Sequence, residues 1–396
     1  MRRRGPKRAL SPHNALHWSD PRAFLGASLL ELLPEPFRSI AAFVVVLGVL
    51  IFIHELGHYL AARWRGVHVE RFSVGFGRAI YTWSDKRGCE WRIGWLPLGG
   101  YVKMHGMEDL GEAAPEQAAS FRPGETFHEK PVGDRALVVA AGPFFNFALA
   151  VLLFAALFVV VGRPSAVPTV GNVVEASAAA RAGLASGDRI IAMDGQPVER
   201  FEALQRYVQA RPGQAIEILV ARGESQLKVI ATPQPRPSDG LGMLGITAGA
   251  PIFEKLDPFS AVWAGVTHTL DITWQTLVGV WQMISGSRGA EDLGGPLRIA
   301  QMSGQVANMG FSAFITFTAL LSVNLALINL FPIPVLDGGH LLFYAAEAIR
   351  GRPLPLKARE YGFRAGFALL IGLMIFATWN DLAQLGVVRW VSGLLS

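Results

Sequence analysis

Cysteine is almost absent from this chain: Cys89 is the only one in 396 residues. One thiol excludes an intramolecular disulfide and a thiolate metal cluster, so any metal must be held by His, Asp or Glu. Cys89 itself reads as an inert loop residue. Charge is also scarce. Charged residues make up 17% of the chain, against about a quarter in soluble domains, while 51% is hydrophobic and the mean hydropathy is +0.33. This balance points to a membrane protein with a modest aqueous portion. The net charge of +5 is weak evidence for nucleic acid, because basic residues in a membrane protein first report topology.

No apolar run follows the basic cluster Arg2, Arg3, Arg4, Lys7 and Arg8 as a secretory signal would require. Residues 1–38 therefore read as a flexible extension, with a short surface helix over Phe24–Leu33 or a misassigned start as readings of it. Beyond it, four apolar segments have the ~20 residues that a span needs: about Ile40–Leu60, Ala136–Val161, Phe311–Leu330 and Phe363–Leu382. Each is expected to be a helix, since lipid leaves no other partner for backbone polar groups. Arg63, Arg65, Arg71, Arg78, Lys86 and Arg87, among others, lie between the first two spans, and Arg350, Arg352, Lys357 and Arg359 follow the third in a short loop. An even number of crossings separates these regions, so the positive-inside rule makes both cytoplasmic. The basic N-terminus then falls outside. The two flanking loops outweigh it because the Arg cluster lies some 30 residues from the first span.

Segments Val69–Val74, Ala79–Trp83, Glu90–Trp95 and Tyr101–Met104 read as short strands, apolar on both faces, with turns at Asp85–Gly88 and at Gly99 and Gly100. A sheet of this kind can dip into a membrane if protein covers its edges. Between the second and third spans, strands are expected over Val167–Val174, Arg189–Met193, Ala215–Ala221 and Gln226–Thr232, with a helix over Phe201–Gln209 and turn chemistry over Ala178–Leu184. The pattern from Ala182 to Val198 resembles a PDZ domain, with a generic small β domain as the alternative. Leu256–Met283 has helical spacing and carries Trp263, Trp274 and Trp281. It is either an amphipathic helix on the outer membrane surface or a helix packed on the β domain.

The chemistry centres on His54-Glu55-Leu56-Gly57-His58. Residues i and i+4 share a helix face, so both imidazoles can reach one metal, and the adjacent Glu is placed to act as base. His54 stands 14 residues past Ile40, roughly 21 Å into a core of about 30 Å. Ionisable groups at such depth cost several kcal/mol unless satisfied, and a divalent ion satisfies them. A catalytic zinc takes three protein ligands and keeps one position open. Asp337, exposed by Pro332, Pro334, Gly338 and Gly339 at the end of the third span, is the favoured third ligand; His340 is its rival.

With these residues in view, the chain resembles the site-2 protease family, and within it the bacterial regulator-of-sigma-E protease group. The resemblance rests on HELGH within the first span, PLGGYVKM at Pro97–Met104, AAGPFFN at Ala140–Asn146, the PDZ pattern, and the run from Ser322 to Gly338. It implies a polytopic α-helical membrane protein: four transmembrane helices, a membrane-associated β-hairpin or sheet, and one extracytoplasmic PDZ domain. The divisions expected are the extension 1–38, a first core part 39–162, the PDZ domain 163–248, linker helices 249–308, and a second core part 309–396. It further implies Zn2+ on His54, His58 and Asp337, Glu55 as catalytic base, Asn324, Asn329, Gly99 and Gly100 toward substrate, and Asn146 in support. The implied partners are single-pass membrane substrates such as an anti-sigma factor, the lipid bilayer, and an upstream site-1 type protease, in a bacterial inner membrane. Two departures are a single PDZ domain where many of that group carry two, and the N-terminal extension. A non-catalytic PDZ scaffold would explain the spans but not the four polar residues together. An ion transporter would explain those residues, but no inverted repeat is visible.

Overall fold

A computed structural model describes residues 35–107, 124–165, 167–236, 239–250, 252–287, 289 and 294–384. The Phe24–Leu33 helix expectation lies outside the described residues. The chain divides into two compact units, residues 1–153 with 267–396, and residues 154–266.

In the first unit, the leading helix runs over Glu35–Trp64, starting five residues before the expected Ile40. Pro36 does not prevent this, because proline is tolerated in a helix's first turn. The helices over Phe37–Trp64, Val132–Val160, Phe311–Leu330 and Leu356–Gln384 are each long and apolar enough to cross a membrane. Only 6% of the fourth helix's apolar window is buried. Phe367, Leu369, Leu373, Met374 and Ile375 point outward, a surface that suits lipid rather than water.

Two strands, Val69–Ser84 and Glu90–Met104, replace the four short ones expected. Their pairing nevertheless falls into three ladders that join four chain segments. Residues Arg71, Phe72, Ser73 and Val74 pair with Lys103, Val102, Tyr101 and Gly100 on one side and with Glu90, Trp91, Arg92 and Ile93 on the other; Ala79 to Ser84 pair with Gly94 to Glu90. The chain bends without interrupting the strands because Gly75 and Gly77 adopt positive φ (89° and 81°), which costs a glycine little. Phe76, Ile80, Tyr81 and Trp95 are exposed. Phe72, Val102, Met104 and Cys89 join Tyr59, Ala62, Val138 and Val139 in one buried cluster that packs the sheet against the first two spans. Burial, then the Asp85 charge, push the Cys89 thiol up to about 11, so it stays protonated and inert at neutral pH.

The short loop expected after the third span is instead a helix, Asp337–Arg350, followed by Gly351 in the left-handed conformation. The sequence Pro332-Ile-Pro334 stops the third span at Leu330, and buried Gly338 and Gly339 let the new helix fold back. A Cβ on either would fall on the backbone of Leu330 and Phe331 or of Ile333 and Pro334. Arg135, on the second span, anchors this helix through Glu347 (2.6 and 3.3 Å) and lies over the Tyr344 ring. Asp381 is 3% exposed in the fourth span, and its carboxylate accepts the Gly295 and Arg298 amides at 2.8 and 3.0 Å. It thereby caps the Pro296–Asn308 helix, which explains an acid at that position. The helix expected near Leu256–Met283 spans Pro258–Ile284, with Trp263, Trp274 and Trp281 exposed.

In the second unit, the sheet order is Gln196–Pro197, Arg189–Met193, Ile216–Arg222, Ser225–Ala231. Val170–Val173 pairs separately with Ile246–Ala248, and Phe201–Gln209 is helical as expected. Part of the Ala178–Leu184 turn is a four-residue helix, Ala178–Arg181, capped by the Ser177 hydroxyl. Ile190, Met193, Ile216, Ile218, Val220 and Leu204 form the core.

Asp188, 1% exposed, accepts two bonds from Arg222 at 2.7 Å and one from the Ala185 amide at 2.9 Å. Arg222 foremost holds its carboxyl below the usual range. A depressed native pKa stabilises the fold above the unfolded value of about 3.9, and that gain is lost as pH falls through the native value. Hydrogen exchange at Ile190 and Ile218, corrected for intrinsic rates, is expected to lose protection in this acid window. Asp188→Asn should lower protection at neutral pH by about 1–3 kcal/mol and flatten the acid limb. An unchanged acid limb would count against the pair.

Candidate metal centre

His54 and His58 lie one turn apart on the first span, and both are under one-tenth exposed. Their Nε2 atoms are 3.2 Å apart. Asp337 begins the helix after the third span, and its Oδ2 lies 3.2 Å from His54 Nε2 and 3.5 Å from His58 Nε2. These three form the one group of potential metal ligands among the described residues. An ion bonded at about 2.0–2.1 Å in a tetrahedron separates neighbouring ligand atoms by roughly 3.3 Å, close to the spacing found. Asp337 Oδ2 is buried and has no hydrogen-bond donor of its own. The donor set and its spacing therefore fit a metal such as zinc.

The second span supports both imidazoles. The Val138 carbonyl accepts from His58 Nδ1 at 2.9 Å, which leaves the Nε2 lone pair directed at Asp337. On His54, Nδ1 faces the Asn146 amide at 3.3 Å. Asn146 is fully buried, and its main-chain carbonyl accepts from the Ser322 hydroxyl at 2.7 Å, joining the second and third spans at the depth of the site. Close approach depends on two glycines. A Cβ on Gly142 would fall on His58 Nε2 and within 2.9 Å of His54 Cε1, and one on Gly57 would fall on the Ala141 carbonyl.

Glu55 is buried beside the ligands without belonging to their group. A Cβ on Gly100 would lie 2.9 Å from Glu55 Cγ and 2.8 Å from Ile51 Cγ2, so the sheet meets the first span at Glu55. Gly99, at φ 151°, lies instead against the Phe76 ring. Asn324 accepts from Thr276 at 3.4 Å, and Asn329 is half-buried near the end of the third span. Among the described hydrogen bonds, neither reaches the three-ligand group. His340 packs on Phe363, ring centroids 5.3 Å apart, and is outside that group.

Sequence reasoning passed over Gly142, Gly57 and Ser322 as parts of the site. All three lie inside motifs already named, HELGH, AAGPFFN and the run from Ser322 to Gly338, but a glycine's clearance from a group on another helix has no one-dimensional signal.

Residues 42–373 match the profile of Peptidase family M50. A candidate zinc metalloprotease of Agrobacterium fabrum is 44% identical over 361 residues, covering 87% of this chain and 96% of that protein. A similarly named protein of Rhizobium meliloti is 42% identical over 370 residues, covering 90% and 97%. Metalloprotease MmpA of Caulobacter vibrioides is 36% identical over 393 residues, covering 90% and 98%. The PDZ domain of an SdrC-like protein from Listeria monocytogenes is 22% identical over 20% of this chain and 84% of that one, with a TM-score of 0.19, a likeness too slight to define the fold. With the profile reaching from the first apolar helix into the fourth of those described, and taking in the buried His54–His58–Asp337 group, this membrane protein belongs to peptidase family M50.

Proposed function

We propose that this chain is an intramembrane zinc metalloprotease that hydrolyses peptide bonds within transmembrane segments of membrane proteins. The observation that carries the reading is the convergence of His54, His58 and Asp337, 3.2–3.5 Å apart, inside an apolar helix bundle. His54 Nε2, His58 Nε2 and Asp337 Oδ2 would hold the ion. When bound, zinc supplies Lewis acidity at the scissile carbonyl and toward water. The Glu55 carboxylate takes the proton of the attacking water and returns it to the leaving amine nitrogen. A substrate helix hides its peptide bonds, so it must unwind first. The Gly100–Met104 segment offers a strand for the extended substrate to pair with, and Gly100 sets that strand against Glu55. Asn324 and Asn329 are assigned to the substrate backbone.

The active site faces the cytoplasmic side of a bacterial inner membrane, and the β domain between the second and third spans is a periplasmic PDZ domain. That domain acts as a filter, admitting single-pass stubs already trimmed by another protease, with an anti-sigma factor as the substrate class.

The test pairs metal content with cleavage. Purified wild type is expected to carry one zinc per chain and to cut a single-span reporter without a large outer domain. Asp337→Ala is expected to lose both. A wild type that holds no zinc and leaves the reporter uncut defeats the proposal and favours a scaffold role, whereas an Asp337→Ala protein that still cleaves defeats the three-ligand metal centre.

A further inference from the structure

The two histidines meet the second span in matching ways. Each directs Nε2 toward Asp337 and Nδ1 toward the helix over Val132–Val160. For His58 the group at Nδ1 is a carbonyl, which can only accept, so its Nδ1 carries the proton and its Nε2 lone pair is free. For His54 the group is the Asn146 amide, whose nitrogen stands 3.3 Å from Nδ1, while its Oδ1 is buried without a hydrogen-bond partner. If that nitrogen donates, Nδ1 accepts and Nε2 carries a proton in the direction a metal needs; the Gly142 carbonyl, which also reaches the His54 ring, can accept only from a protonated nitrogen and so works against this arrangement. A half-turn of the amide exchanges its two ends with little change of shape. The orphaned oxygen then accepts from Nδ1, and the two imidazoles share one protonation pattern.

We propose that Asn146 presents its amide oxygen to His54 Nδ1 and so holds His54 with its Nε2 lone pair on the metal, as a positioning residue behind that ligand. This rests on the metal-centre reading above. Such hydrogen bonds to a ligating imidazole fix its tautomer and ring orientation, and their loss typically costs 10–100-fold in metal affinity. Asn146 is suited to the task because it is held twice. It is fully buried, and its main-chain oxygen is tied to Ser322, a bond that side-chain substitution leaves in place.

Zinc affinity of the full-length protein, measured by competition with a chelator, tests this directly. Asn146→Leu keeps the size and removes the acceptor; its zinc Kd is expected to rise about 10–100-fold. Asn146→Asp restores an oxygen acceptor and is expected to bind within a few-fold of wild type. With Co2+ in place of zinc, Asn146→Leu should change the visible absorption bands and Asn146→Asp should keep their tetrahedral character. A purely structural role would lower thermal stability in both variants and leave the cobalt spectrum of the folded fraction unchanged. Should Asn146→Leu fail to fold, 15N-histidine NMR compares zinc-loaded wild type with zinc-loaded Asn146→Asp. A protonated Nδ1 and a metal-bound Nε2 on His54 are expected in both, with the Nδ1 resonance shifted when a carboxylate replaces the amide; an Nδ1 resonance that does not move overturns the inference.

Wild-type affinity in Asn146→Leu, an Asn146→Asp protein as weak as Asn146→Leu, or metal on His54 Nδ1 each overturns the inference and leaves the metal centre standing. A wild type that binds no zinc overturns both.

Discussion

Glu55→Gln is expected to abolish peptide hydrolysis while zinc stays bound. Glutamine keeps the length and shape of glutamate, so its close approach to Gly100 survives. It cannot take up a proton, and general-base catalysis of this kind supplies roughly 10²–10⁴-fold in rate. Metal retention follows because Glu55 lies outside the His54–His58–Asp337 group. Cleavage of the single-span reporter and zinc per chain should be measured on the same preparation. Turnover near the wild-type rate would remove Glu55 from the mechanism. Lost zinc would mean that its carboxylate holds the ion instead.

Gly142→Ala is the second large effect, and it needs no change to a ligand. The added methyl group would land on His58 Nε2 and crowd His54 Cε1. The two imidazoles cannot yield independently, since His58 Nδ1 is bonded to Val138 and both rings face Asp337. Overpacking at such a site costs about 1–3 kcal/mol, which corresponds to roughly 5–150-fold in zinc affinity. Proteolysis should fall with it. Gly133→Ala on the same helix is the control, because its added Cβ meets nothing within 4 Å. Equal zinc affinity in the two variants would show that the second span can shift away, and that Gly142 does not set the spacing.

Much of this molecule could be read along the chain because membranes simplify the reading. A span needs about 20 apolar residues, so a deficit of charge in four places located four helices. His54 and His58 share a face by the geometry of one helix, and Asp337 stood out as an acid exposed by a proline-induced stop. The limits lay where the signal is not local. The first turn of Asp337–Arg350, Asp-Gly-Gly, has poor intrinsic helix propensity, so no local signal marks it as a helix. It is helical because it folds back on the end of the third span, where Gly338 and Gly339 permit close contact. The four strands expected between the first two spans merged into two because glycines bend a strand as readily as they end it.

The available chemistry is already written along the chain: two imidazoles and a carboxylate at one depth, a neighbouring acid, and no thiol to compete with them. The sequence left Asp337 and His340 as rivals for the third ligand. Tertiary structure chose between them, placing Asp337 Oδ2 against both Nε2 atoms and His340 against Phe363. It also chose which atoms stand behind each histidine. The physical reason is common to both choices. Shared coordination and hydrogen bonding require ångström-scale agreement between separate helices, and that agreement comes from how closely their backbones can approach, at Gly57, Gly142, Gly338 and Gly339.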